Sequence, residues 1–189
     1  MEFLIATHNM HKVDEFQRIF TPMNIFALTA DITEAEETGT TFMENAIIKA
    51  KSACDETGKP AVADDSGLCI DFLSGEPGVY SARYAPEGQR KKAVLDKMKN
   101  VADDKRGAHF VSAIACVFPN GDMICCEGKC HGFITREVLG DKGFGYDPIF
   151  KVGDKTFAQM TAKEKDDISH RGIALREFEI KLKEYVENL

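Results

Sequence analysis

The sequence predicts a mixed α/β fold in which helix–strand units are interrupted by an antiparallel hairpin. Three observations carry that expectation. Short apolar runs such as "FLIAT" alternate with stretches at helical spacing. Asn120-Gly121 sits between two strand-like segments, a strong hairpin signal. The chain then closes on an amphipathic helix. With 189 residues, it can bury roughly 70% of the surface its unfolded form exposes, and residues 1–189 read as a single domain without a separable linker.

The elements follow in order. Phe3 to Thr7 forms the first strand, and "KVDEFQRIF" places Val13, Phe16, Ile19 and Phe20 on one helical face. "NIFALTA" is a second strand, followed by the acidic loop "ITEAEETGTT", which includes Glu34, Glu36 and Glu37. Next comes a helix whose stripe is Met43, Ala46, Ile47, Ala50 and Cys54. Thr41 and Glu44 fit a capping box at its start, and Gly58 and Pro60 end it. "AVADDSGLCIDFL" reads as strand, turn and strand, because Asp, Ser and Gly are turn formers. "GEPGVYSARYAPEG" is a punctuated loop and "QRKKAVLDKMKNV" a surface helix. The hairpin runs from His109 to Cys130, and the glycine-rich "GDKGFGYDPIF" comes after it. From Ser169 onward, Ala174, Phe178, Leu182, Tyr185 and Leu189 mark the closing helix.

Composition narrows the function classes. The net charge of -7 argues against a protein that coats nucleic acid, which needs a basic face. No run approaches ~18 apolar residues, so no membrane span is expected. The N-terminus has neither a basic leader nor a long apolar region. The six cysteines are therefore expected to be reduced thiols of a cytoplasmic protein. "CCEGKCH" lacks a second ligand pair, and its strand-like neighbours point to opposite faces, so zinc is not expected there.

Four segments carry more polar groups than packing requires. "THNMHK" follows the first strand and opens a helix, where α/β proteins place phosphates. It is also readable as an ordinary helix cap with a solvated lysine. It is not a Walker loop, since GxxxxGK[ST] occurs nowhere. The acidic loop with Glu44 and Lys49 offers carboxylates, and magnesium needs only a few of these beside waters and substrate oxygens. Asp64 and Asp65 in "DDSG" are either turn residues or a metal or proton-transfer site. "FGYDP" and "KEKDDISHRG" supply Phe144 and Tyr146 for stacking, and Lys165, His170 and Arg171 for anions or a base edge.

Taken together, "ATHNMHK", "EETGTTFMENAIIKAKSA", "ADDSGLCID", "GEPGVYSARYA", "GFGYDPIF" and "ISHRG" occur in an order and spacing that resemble the inosine/xanthosine triphosphate pyrophosphatases. The resemblance covers nearly the whole chain. It implies an elongated mixed sheet with flanking helices, in two lobes around a central substrate cleft. It also implies a homodimer, a magnesium ion, and cleavage of non-standard purine nucleoside triphosphates to monophosphate and pyrophosphate. By position, Thr7, His8, Asn9, Met10, His11 and Lys12 would bind the triphosphate, with His8 standing where the family usually has a small residue. Asp65 would be the general base and, with Glu36, hold the metal, while Glu37 and Glu44 remain alternatives to Glu36. Lys49 and Ser66 would contact substrate. Phe144, Gly145, Tyr146 and Asp147 would surround the base, completed by Lys165, His170 and Arg171. Arg171, His170 or nearby backbone N–H groups would donate to the 6-keto oxygen that adenine lacks. A phosphohydrolase releasing orthophosphate and a non-catalytic nucleotide-binding module are the rival readings.

Overall fold

The computed structural model describes residues 2–20, 24–27 (backbone only), 33 and 35–188. The expectations for Leu28 to Ala30, Ile32, Glu34 and Leu189 lie outside the described residues. Strand β1 (Glu2–Ile5) leads into helix α1 (Met10–Ile19), then β2 (Asn24–Ala27). Helix α2 (Phe42–Thr57) precedes strand β3 (Ala61–Ile70). β1 pairs in parallel with β2 on one side and β3 on the other. Helix α3 (Arg90–Lys97) is followed by the hairpin of β4 (Gly107–Val117) and β5 (Met123–Ile134). The hairpin turns where Gly121 takes a φ of 91° and Phe118 N–H donates to Asp122 O at 3.0 Å. The short strands β6 (Phe150–Val152) and β7 (Lys155–Thr156) extend the sheet antiparallel, before α4 (Ala162–Ile168) and α5 (His170–Glu187). Among the described residues the strand order is β2-β1-β3-β4-β5-β6-β7.

The chain folds as two units, each drawn from separate stretches of sequence. The first takes Met1–Asp65, Ser112–Gly128 and His170–Leu189; the second takes Ser66–Val111 and Lys129–Ser169. In the first unit, strand alternation builds two different cores. Phe3, Ile5, Val62, Ile114 and Cys116 pack with Val13 and Phe16 of α1 and with Ala174, Phe178 and Leu182 of α5. The intervening residues, Leu4, Ala6, Ala61, Ala63, Ala113 and Ala115, pack with Ala46, Ala50 and Ala53 of α2. Side chains two apart share a face and neighbours do not, so one face is large-residue packing and the other is alanine against alanine. Small side chains on both partners let α2 lie close to the sheet. The Thr41–Glu44 capping box fixes where α2 starts: Glu44 N–H donates to Thr41 Oγ1 at 3.1 Å, and Thr41 N–H donates to Glu44 Oε2 at 3.1 Å.

The second unit has its own core of Leu68, Ile70, Met98, Phe110, Ile149, Phe150 and Phe157. Phe110 contacts both Phe150 and Phe157 ring to ring, at 4.7 and 5.9 Å between centroids. Among the described residues, no helix is long and apolar enough to cross a membrane.

One expectation about the strands needs correction. "DDSG" is not a turn: β3 runs unbroken through Asp64, Asp65, Ser66 and Gly67. No turn is required because both carboxylates find compensation from side chains of the elements packed on the strand. The glycine-rich segment near Tyr146 gives a 3₁₀ turn (Asp147–Ile149) and then β6. The cysteines are free thiols. Cys126 lies in the α1/α5 core and Cys125 against the α2 core, on opposite faces of β5.

At Gly128 of β5 a Cβ would stand 2.1 Å from His170 O and 2.6 Å from Ala174 N, the backbone of α5. Neither atom is a flexible side-chain end, so the helix or the strand must move. Gly128→Ala is expected to lower unfolding free energy by about 1–3 kcal/mol or more, measured by urea denaturation. Unchanged stability would mean that α5 does not seat against β5 here.

Candidate active site

Because Asp64 shares a face with Val62, it points toward α1 and α5. Asp65, on the face of Ala61 and Ala63, points toward α2. Each meets a different set of partners. Asp64 is buried and accepts from Arg171 Nε at 3.2 Å and Nη2 at 3.0 Å. It also pairs with Lys12 Nζ at 2.7 Å and accepts from Ser112 Oγ at 2.5 Å. Arg171 in turn pairs with Glu15 of α1. Burial opposes the Asp64 charge, but Arg171 and Lys12 outweigh it and hold the carboxyl well below the usual carboxylate range. Burial likewise opposes the Arg171 charge, and Asp64 and Glu15 outweigh that too, so the guanidinium is held above its ordinary value.

Asp65 has weaker support. Asn45 Nδ2 donates to its Oδ2 at 3.1 Å, and Lys49 Nζ donates to its Oδ1 at 3.2 Å. Asn45 and Lys49 are one helical turn apart on the buried face of α2, which brings both to the same carboxylate. Lys49 Nζ also donates to Glu37 Oε1 at 2.8 Å and to the Asp64 carbonyl oxygen at 3.0 Å. Burial is the largest influence on Asp65 and, with Glu37 nearby, pushes its carboxyl above the ordinary range against Lys49, Lys12 and Asn45. Lys49 loses by burial but gains more from Asp65, Glu37 and Asp64, so its ammonium is held up. The acidic loop reaches α2 because Gly39 N–H donates to Asn45 Oδ1 at 2.8 Å. A Cβ at Gly39 would stand 2.7 Å from that same oxygen.

The loop after β1 ends in the cap of α1. Asn9 Oδ1 accepts from His11 N–H at 3.1 Å, and Asn9 N–H donates to Thr7 Oγ1 at 3.1 Å. Thr7 is buried, whereas His8, Asn9, Met10 and His11 are exposed around the helix N-terminus. Lys12 Nζ reaches the Asp64 carbonyl oxygen at 3.2 Å. Burial lowers the Lys12 pKa; Asp64 opposes this, while Lys49 and Arg171 add to it by repulsion. Glu36 is exposed and Glu37 half-buried on Lys49. Glu44 is held by Thr40 and Thr41 as a cap.

The remaining expected residues lie in the second unit, apart from His170 and Arg171, which open α5 in the first. Lys165 Nζ donates to Asp147 Oδ2 at 2.7 Å, a buried pair, and lies 4.8 Å from the Phe144 ring centroid. Asp147 Oδ2 also accepts from Phe144 N–H at 2.9 Å. Gly145 takes a φ of 58°, and Ser66 is half-buried in β3. Tyr146 departs from the expectation of a stacking face. Its ring belongs to the core, its hydroxyl donates to Ser81 O at 2.9 Å, and burial pushes its pKa up to about 12. Phe144 is half-buried. Arg171 departs as well: its guanidinium is buried on Asp64 and Glu15 rather than presented to a base edge. His170 is also buried.

The sequence did not single out Asn45, Ser112 or Glu15. Each left a trace: a polar residue on an alanine stripe, a lone hydroxyl in an apolar strand, and a carboxylate three residues after Lys12. Among the described residues no three His, Cys, Asp or Glu side chains converge to hold a metal.

The sequence profile of the Ham1 family matches residues 3–181. A dITP/XTP pyrophosphatase of Bacillus anthracis is 44% identical over 196 residues, covering 97% of this chain and 97% of that protein. One from Bacillus subtilis is 46% identical over 185 residues, covering 93% of each. Among solved structures, the Staphylococcus aureus Ham1 protein matches with a TM-score of 0.87 at 38% identity, covering 98% of this chain and 100% of that one. A nucleoside-triphosphatase / dITP/XTP pyrophosphatase from Mycobacterium abscessus matches with a TM-score of 0.74 at 40% identity, covering 94% and 98%.

The Asp64 network makes a stability prediction. An unfolded aspartate titrates near ~3.9, and folded Asp64 titrates well below that. Its ionisation therefore contributes stability that is present above pH ~4 and lost as pH falls through the folded value. Removing one partner of a buried pair costs about 3–5 kcal/mol, so Asp64→Asn is expected to unfold that much more easily at neutral pH. The difference from the parent should shrink below pH ~4. Urea unfolding across pH 7 to 3 measures both, and equal stability at pH 7 contradicts the assignment.

Proposed function

The chain belongs to the Ham1 family, and from that premise we propose that it hydrolyses dITP, ITP and XTP to the monophosphate and pyrophosphate. One observation carries the chemistry: Asp65 is a mostly buried carboxylate with a raised pKa, set between Lys49 and Asn45. A carboxylate raised toward the working pH is a stronger proton acceptor than an exposed one. Asp65 would accept a proton from, or orient, the water that attacks the α-phosphorus.

Transfer at phosphorus depends on positioning and on neutralising charge. The exposed loop of His8 to His11 opens α1, whose first N–H groups suit a phosphate. Lys12 and Lys49 both converge on the Asp64 carbonyl. Burial, with repulsion from Lys49 and Arg171 added to it, lowers the Lys12 pKa, and an arriving triphosphate would favour its charged form. Within the second unit, Asp147 fixes Lys165 beside the Phe144 ring.

A hard divalent ion such as magnesium takes carboxylate oxygens while keeping waters and substrate oxygens. The donor set fits without a three-carboxylate cage. Glu37 is engaged by Lys49 and Glu44 by its cap. Exposed Glu36 makes no ion pair among the described residues, so Asp65 and Glu36 would hold the ion. When bound, magnesium neutralises charge on phosphate oxygens.

A homodimer and a cytoplasmic location belong to the same proposal. Exposed Phe72, Tyr80 and Phe133 give the second unit aromatic surface for self-association. Six free thiols suit a reducing compartment. Sedimentation at twice the chain mass supports the dimer, and a monomer at micromolar concentration refutes it.

Inosine triphosphate incubated with the protein and magnesium should yield inosine monophosphate and pyrophosphate in equal amounts. Inosine diphosphate with orthophosphate as the main products would overturn the reading. Asp65→Asn should lower turnover by about 10²–10⁴ while leaving the urea midpoint near the parent value. Near-normal turnover would move the proton to another group.

A further inference from the structure

The second unit carries a cavity of about 650 Å³ that none of this chemistry uses. It lies beside α3, between that helix and the ends of β4 and β5, and it falls in the size range of small-ligand sites, about 300–1,000 Å³. Its lining contains five basic side chains and two acidic ones, in a chain whose overall charge is -7. The excess of positive charge is therefore local.

The cations differ in how they are held. Lys92 pairs with Asp96 at 2.5 Å and Arg136 with Asp103 at 2.7 Å. Half-buried Lys91 and exposed Lys99 make no ion pair among the described residues. Arg106 is only 3% exposed. Its guanidinium donates to carbonyls: Met98 and Ile134 at 2.6 and 2.7 Å, and Thr135 at 2.7 Å. Those bonds tie the end of α3 to β5, but none of them brings a carboxylate against the positive charge. Burial and the neighbouring Arg136 both disfavour the charged form of Arg106, and Asp103 offsets them only in part. An anion in the cavity would offset the rest.

Lys91, Leu95 and Lys99 recur at intervals of four, so they lie along one side of α3 and its C-terminal turn. At ~1.5 Å per residue the two lysines are separated by on the order of 10 Å. Cations spaced that far apart along one edge suit a chain of phosphates better than a single one. Leu95 and Val138 add an apolar edge to the same cavity.

We propose that this cavity binds a linear chain of two or three phosphates, free or carried by a nucleotide, at a site separate from the one built on Asp65. The proposal rests on the charge and shape of the second unit and stands whichever reaction Asp65 serves.

Hydrogen–deuterium exchange of the full chain, with and without inorganic tripolyphosphate or ATP, provides a local readout. Either probe should slow exchange in 90–99 and 106–110. Protection by both assigns recognition to the phosphates; protection by ATP alone adds the apolar edge. K91Q/K99Q, one change in α3 and one in the turn after it, should weaken the Kd for that protection by at least about tenfold, since hydrogen bonds to charged groups are the strong ones. Protection at 7–12 should be unchanged in this variant, as should hydrolysis of inosine triphosphate at saturating substrate. No protection of α3 at millimolar probe, or protection that survives K91Q/K99Q, overturns the proposal.

Discussion

Neighbouring side chains in a strand point to opposite faces, and in β3 that geometry separates two carboxylates that are adjacent in sequence. Asp64 goes to the face covered by α1 and α5, Asp65 to the face covered by α2. Much else in the first unit follows from this. Asp64 needs compensation inside a large-residue core, and Arg171, Lys12 and Ser112 provide it. The same contacts fix α1 and α5 to the strand by charge as well as by packing. A one-residue slip of β3 would exchange the two carboxylates between environments that suit only one of each.

The alanine face has the complementary consequence. With Ala61, Ala63, Ala46 and Ala50 between them, β3 and α2 approach closely enough for Asn45 and Lys49 to reach Asp65. Bulkier residues would hold α2 away and leave Asp65 either solvated or without partners. The capping box and Gly39 set the register of that approach, because both fix where α2 begins relative to the acidic loop. Packing on this face thus sets an electrostatic property, the raised pKa of Asp65.

Much of this was legible in the sequence, and the rest was hidden for physical reasons. Val13 and Phe16, the Thr41–Glu44 box and the Asn120-Gly121 turn are local signals, and each holds in the structure. "DDSG" misled because turn chemistry and a compensated buried pair look alike until partners distant in sequence are known. Arg171 and Asp64 are 107 positions apart, and no local pattern links them. Separation in sequence also hid Glu15, 156 positions from Arg171, and Ser112, 48 from Asp64, and it made Arg171 look like a ligand-facing cation when its guanidinium lies on Asp64 and Glu15. Tyr146, offered by the sequence as a ring for stacking, lies in the core, where Ser81 O accepts its hydroxyl.

The central claim is that two adjacent aspartates are driven in opposite electrostatic directions by the two faces of one strand. Carbon-13 NMR titration of the aspartate carboxyl groups, with Asp64 and Asp65 assigned through single Asn variants, measures this directly. The account predicts that in the metal-free protein Asp65 gains its proton above the ordinary value of ~3.9 and Asp64 well below it. Titration of the two together, or in the reverse order, would contradict it.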